Sequence, residues 1–262
     1  MSNWGASRQL IFFLVILLII LAAAGAAGWY FWPRPSCADG RQNQNERGPD
    51  CGGVCAAVCA DEVQAVQVKW ARVLTLVPPP ASQSPGVYDV AALVENPNPN
   101  LTLLNWPYNL RIVDAANLFI TRLTGTLTLS PNEKFLIFET NINVGRRIPA
   151  RAFLDSAGPP RWRRSLDQDK LAVAITDRQF TPAPPLLKAQ LTNSSLVSYR
   201  DLKIAAVLSD GEQNAIAASV TAVGELAAGE TKEISFSWPR PLTSEPVLID
   251  FYPHVALDDS RH

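Results

Sequence analysis

The chain has 262 residues, with 23 lysines and arginines against 24 aspartates and glutamates and a formal net charge of −1, so no overall field selects nucleic acid as a partner. Its 21 prolines are scattered, which works against long helices and central strands and favours short strands joined by rigid loops. Only two histidines occur, His254 and His262, so a histidine metal site or a Ser-His-Asp hydrolase lacks its parts, while the chain beyond residue 36 has room for two domains of ~100 residues.

Residues 1–9 are too few to fold and are expected as a cytoplasmic stub. Leu10–Trp32 follows, reading LIFFLVILLIILAAAGAAGWYFW without one charged residue. At ~1.5 Å per residue its Leu10–Ala27 part is ~27 Å long, close to the ~30 Å hydrocarbon thickness of a bilayer. A cleaved secretory signal is the alternative, and Ala22–Ala27 offers it small-residue cleavage sites. Such a signal needs only ~7–15 apolar residues, however, and this run is longer. It also ends in Trp29, Tyr30, Phe31 and Trp32, rings that settle at headgroup level. A retained single transmembrane helix over 10–32 is therefore expected, ended by Pro33 and Pro35. Arg8 and Arg34 flank it, a charge bias too slight to orient it.

Segment 33–62 carries all four cysteines, Cys37, Cys51, Cys55 and Cys59. An even number packed into a polar stretch beside a membrane span predicts two disulfides in an oxidising compartment. That places the amino terminus in the cytoplasm and the remainder outside. Three pairings are open. Closing a loop the size of Cys37–Cys51 removes ~3 kcal/mol of unfolded-chain entropy, so the segment needs little core of its own. Zinc on four thiolates, or an iron cluster, is the competing use; structural zinc sites favour two close pairs across a longer spacer. Cys55 and Cys59 are not a C-x-x-C redox pair. The alanine-rich stretch 56–67 predicts a short helix with Cys55 and Cys59 on one side.

Asp39, Asn43, Asn45, Glu46 and Asp50 set oxygen donors at short spacing around Gly40, as a calcium site requires; a solvated, disulfide-bound loop accounts for the same residues. The pattern Cys37-x-Asp39-Gly40-x-x-Asn43-x-x-Glu46, followed by Asp50-Cys51-Gly52-Gly53-x-Cys55 and Cys59, resembles a small cysteine motif recurring in bacterial surface proteins. The resemblance implies an exported, surface-displayed protein without catalytic activity.

Beyond Val63 the pattern changes to alternation. Leu123, Gly125, Leu127 and Leu129 alternate with Arg122, Thr124, Thr126 and Thr128, the mark of a half-buried strand. Leu136, Phe138, Ile142 and Val144 are expected on one face of the next run. Ile234, Phe236 and Trp238 alternate with Glu233, Ser235 and Ser237. Turn signals lie between, at Asn96–Asn100, Asp114–Asn117, Pro131–Asn132, Ser209–Gly211 and Ala228–Gly229. Short strands at this spacing predict an all-β fold of antiparallel sandwiches.

The two halves also match each other. VAALVEN ending at Asn96 answers LKAQLTN ending at Asn193, LRIVD ending at Asp114 answers AVLSD ending at Asp210, and NEKFLIF answers GETKEISF. The offset stays near 97 residues throughout, which reads as domain duplication. The expected layout is a sandwich over 63–155, a small proline-rich linker over 156–161, a sandwich over 162–257 and a tail over 258–262. Asn96, Asp114, Asn193 and Asp210 are read as turn residues that satisfy free backbone groups.

The order of a strand into an Asn-Pro or Asn-Ser turn, a strand ending in Asp, and a Pro/Gly-Glu turn into an apolar strand is carried by Asn96-Pro97-Asn98, Leu110–Asp114 and Pro131–Glu133. Asn193-Ser194, Ala206–Asp210 and Ala228-Gly229-Glu230 carry it again. This resembles the late-embryogenesis-abundant type 2 (water-stress and hypersensitive-response) sandwich and the bacterial FxLYD-like domains. The resemblance implies two tandem immunoglobulin-like sandwiches of about seven strands each, with a binding, spacer or protective role.

Arg146, Arg147, Arg151, Arg161, Arg163 and Arg164 cluster along the chain near the linker with Trp162 among them. Arginines interleaved with an aromatic suit phosphate, anionic glycan or lipid headgroups; a solvated surface with a packed tryptophan is the plainer account. Trp106 and Phe119 stand out as apolar residues beside turns, and His254 with Asp250 has no identifiable nucleophile. No P-loop, G-x-G-x-x-G or H-E-x-x-H is present. The expected protein is a non-enzymatic, single-pass surface protein that needs no cofactor and presents a binding or structural surface to an envelope or extracellular protein or glycan. The alternative function is a sensor responding to calcium or another metal through the cysteine-rich segment.

Overall fold

The computed structural model describes residues 4–31, 36–74, 87–145, 147–165, 171–242 and 244–255. Trp32, Arg146 and the expected tail over 258–262 fall outside them. Among the described residues the structure is mostly β, in several antiparallel sheets, so the all-β class holds. The chain forms two compact units, one through Ala57 and the other from Val58 onward.

The first unit opens with helix α1, Trp4–Phe31, which begins inside the stretch expected to be a stub. Its Arg8–Tyr30 part is long and apolar enough to cross a membrane, and its apolar side chains are exposed on every side. Residues 36–57 are almost all turns, with one β-bridge between Gly48 and Cys51. The predicted helix over 56–67 is absent: only a single 3-10 turn forms, at Ala60–Glu62. With the neighbouring cysteines tied elsewhere and Val63 already extended, no second turn has partners for its amides.

Among the described residues the second unit holds thirteen strands. Those of the first sandwich are β1 (Gln67–Leu74), β2 (Val87–Glu95), β3 (Leu101–Val113), β4 (Phe119–Leu129), β5 (Lys134–Asn143), β6 (Arg151–Ser156) and β7 (Arg161–Arg164). One sheet runs β1-β2-β5; the other runs β4-β3-β6, with β7 also on β3. The second sandwich holds β8 (Val173–Pro182), β9 (Pro185–Asn193), β10 (Tyr199–Ser209), β11 (Ala215–Leu226), β12 (Thr231–Ser237) and β13 (Leu248–Val255). Its sheets run β12-β9-β8 and β11-β10-β13, the same order strand for strand. The Arg161–Arg164 stretch, expected at the linker and the start of the second sandwich, belongs to the first: β7 pairs with Leu101–Leu104 while β6 pairs with Tyr108–Val113, so the two continue each other along β3.

Alternation fills each core. Leu103, Leu110, Ile112 and Leu129 are fully buried in the first sandwich, and Leu187, Leu191, Ile204 and Phe236 are buried in the second. Trp106 is also core, its Nε1 donating to Ser156 Oγ at 2.9 Å. The turn residues repeat their chemistry. The amide of buried Asn96 donates to the carbonyls of Leu101 and Ser130, and that of Asn193 to those of Val197, Leu226 and Ala227. Asp114 Oδ1 accepts from Ala116 and Leu118 N–H, and Asp210 Oδ1 from Glu212 and Asn214 N–H.

One expected face is broken. Val90 pairs with Glu139 but Tyr88 with Ile142, so β5 has one extra residue, a bulge at which Asn141 adopts φ 56° and donates to Asp89 Oδ1. An inserted residue reverses which side chains face inward. Ile142 and Val144 therefore join the first core, while Leu136 and Phe138 point the other way. There they meet the second sandwich. Leu74, Ala91, Leu93 and Leu136 pack on Ala205, Val207 and Ala218, sheet against sheet, with Tyr252 at the margin. The two sandwiches are docked through this apolar seam.

Candidate functional site

The cysteine segment is closed by two disulfides, Cys37–Cys55 and Cys51–Cys59, which selects one of the three open pairings. All four sulfurs are thus oxidised, and none is left as a thiolate ligand. Cys37, Glu46 and Cys55 lie close enough to mimic a metal cluster, but two of them share a bond, so buried Glu46 touches a disulfide sulfur instead. The oxygen donors face backbone amides. Asp50 accepts from the N–H groups of Asp39 and Gly40 at 2.8 Å each, and Glu46 Oε2 from Asn43 N–H at 3.1 Å and Asp50 N–H at 3.3 Å. Asp39 accepts from Arg41 N–H and Asn43 Nδ2, and its carboxyl lies below the usual value, chiefly through Asn43. Asn45 sits at φ 66° with its carbonyl against Gly53, where a β-carbon would collide with it. The arrangement is one in which carboxylates tie loops together; an incoming cation would compete with those amides.

The arginines separate. Arg151 pairs with Val113 at one end of β3 and Arg164 with Leu101 at the other. Thirteen residues at ~3.3 Å each put those ends ~40 Å apart. Arg164 forms an ion pair with Glu62 at 2.9 Å, and Trp162 packs against the first core between Arg161 and Arg163. At the far end Arg147 donates to the Phe119 carbonyl at 2.6 Å and Arg151 to that of Ala115 at 2.9 Å. Adjacency in sequence did not survive folding because β6 and β7 run the length of one strand.

A cleft of about 730 Å³ opens beside the seam, within the size range of small-ligand sites. One wall is Tyr108, Thr128, Phe135 and Glu139; the other is Lys203, Ser219, Tyr252 and His254. His254 Nδ1 lies 2.7 Å from Glu133 Oε1, both side chains one-tenth exposed, and its ring stands edge-on to Phe135 at 4.5 Å. This pair links a turn of the first sandwich to a strand of the second. Burial pushes the Tyr252 phenol up to about 12, Asp250 adding to it; burial also raises Tyr108, with Glu139 second. Both hydroxyls therefore stay protonated as donors. Tyr108 takes its place because Gly125 lies opposite, where a β-carbon would sit 2.5 Å from the hydroxyl. The floor is mixed aromatic and polar.

Of these residues the sequence marks His254 and Asp250 for their chemistry; Gly125, Thr128 and Glu133 stand out there only as strand and turn positions. The signal for the cleft was the near-continuous apolar run in β2 and β10, VAALV and IAAVL, which marks strands buried on both faces and hence a second layer. No model of a known protein family matches the chain, and no curated protein matches it. The class defined by fold and site is a pair of docked antiparallel β-sandwiches with a disulfide-stapled segment and an apolar amino-terminal helix.

Proposed function

We propose that this chain is a single-pass membrane protein whose sandwiches lie outside the cytoplasm and act as a non-enzymatic binding module. The observation that carries this reading is the pairing of every cysteine in disulfides directly after a helix long and apolar enough to cross a bilayer. The helix is retained as an anchor, with the amino terminus inside. The docked sandwiches are a duplicated, immunoglobulin-like unit of the late-embryogenesis-abundant type 2 or FxLYD-like kind. Support for that comes from the identical strand order and the repeated Asn, Asp and Glu turn bonds. The inter-sandwich cleft, with its ring faces and neutral hydroxyls, receives an envelope or extracellular protein segment or glycan.

The test is topological. Protease added to intact cells producing the full chain should digest the sandwiches without lysis. Digestion that requires lysis would overturn the address, and with it the surface role.

A further inference from the structure

We propose that the tip of the first sandwich is an anionic-membrane docking surface, built from Leu118, Phe119 and Ile148 with Arg147 and Arg151. Folding brings two separate segments to one end of β3. Asp114 N–H donates to the Leu118 carbonyl and Ala150 N–H to the Val113 carbonyl, so the β3–β4 turn and the loop before β6 lie side by side. At that end Leu118 is 56 %, Phe119 52 % and Ile148 73 % exposed. Three large apolar side chains exposed on adjoining segments at one end of a strand call for a partner.

The second sandwich supplies an internal control. Its matching turn begins at Asp210, makes the same bonds to the second and fourth amides onward, and carries Glu212, Gln213 and Asn214. The first carries Ala116, Asn117 and Leu118 in those places, and then Phe119 where the second has Ala215. The turn's geometry thus needs its aspartate and neither Leu118 nor Phe119; the loop before β13 also exposes an apolar side chain, Val247, but its neighbours there are Glu245, Pro246 and Leu248, with no arginine among them.

Charge selects the occupant. The guanidinium groups of Arg147 and Arg151 are fixed on the carbonyls of Phe119 and Ala115, on the same tip as the exposed side chains. Between 144 and 151 there is no acidic residue, so these two arginines outnumber Asp114, whose Oδ1 accepts from its own turn's N–H groups. Exposed apolar side chains beside arginines fit the boundary of an anionic bilayer, where side chains enter the acyl region and cations meet headgroups. A protein groove would have to supply both an apolar hollow and acidic rims. The inference goes beyond the binding-module reading and does not depend on which side of a cell membrane the sandwiches occupy.

The full chain, reconstituted in phosphatidylcholine nanodiscs, is mixed with vesicles of phosphatidylcholine alone or containing phosphatidylglycerol, and capture is read by flotation. Amide exchange of 115–119 in nanodiscs of the two compositions reports docking on the chain's own bilayer. Phosphatidylglycerol should give capture, or protection of 115–119, that phosphatidylcholine does not. Leu118→Ser with Phe119→Ser should reduce the effect at least tenfold, as should Arg147→Gln with Arg151→Gln, whereas Arg147→Lys with Arg151→Lys, which keeps the charge, should retain most of it. Unchanged unfolding midpoints show that the variants fold. No effect in either arm, equal effects with both lipids, or an undiminished effect in the serine variant overturns the proposal and leaves the tip to a protein partner.

Discussion

Asn96 and Asn193 are each fully buried, and each amide donates to two or more backbone carbonyls where a strand runs into its turn. Replacing either with alanine removes these buried bonds and leaves a void in their place, so Asn96→Ala and Asn193→Ala should each cost about 2–4 kcal/mol. Urea unfolding midpoints of the full chain measure this. Gln179→Ala, exposed on β8, should stay within about 0.5 kcal/mol, and equal effects at all three positions would remove the argument. The structural role of these asparagines was legible from residue type and position alone, because a short amide side chain at a strand end has few other uses. His254 was not legible in the same way. Its partner, Glu133, lies 121 residues away, and only the docking of two sandwiches brings them together.

At the scale of the element, the hairpin turns depend on ionised carboxylates. Asp210 lies below its ordinary value of 3.8, chiefly through the Asn214 N–H, and Glu230 below 4.5, chiefly through the Ala227 N–H. A depressed folded pKa contributes stability that is present above the unfolded value and lost as pH falls through the folded one. Unfolding midpoints should therefore decline as pH drops from about 5 towards 3, and Asp210→Asn with Glu230→Gln should flatten that decline. An identical slope in the double variant would show that other groups drive acid unfolding. The strands themselves were readable from alternation in β4 and β12. The β5 bulge was not, because one extra residue between Tyr88 and Val90's partners changes the face of everything beyond it and leaves composition untouched.

For the whole molecule, the decisive feature is the seam between sandwiches. Ala205, Val207 and Ala218 are small, so the β11-β10-β13 sheet lies close on Ala91, Leu93 and Leu136. A charge at the centre has no partner there. Ala205→Glu should destabilise docking by about 3–5 kcal/mol while both cores persist. Hydrogen exchange reads the difference: amides of Leu93 and Leu136 should lose protection, and those of Leu110 and Leu191 should keep it. Uniform loss would mean that the sandwiches have no independent cores.

What the amino-acid sequence determined by itself was everything that repeats or runs locally: the apolar span, the even cysteines, the strand periods and the two sets of turn residues. These follow from bonding within a few residues or between adjacent strands, and local physics suffices to read them. The tertiary structure alone decided the disulfide pairing, the dispersal of the arginines to opposite ends of β3, the face switch in β5 and the cleft at the seam. Each depends on where distant segments meet, and side chains far apart in the chain acquire a shared chemistry only when the sheets stack and close water out between them.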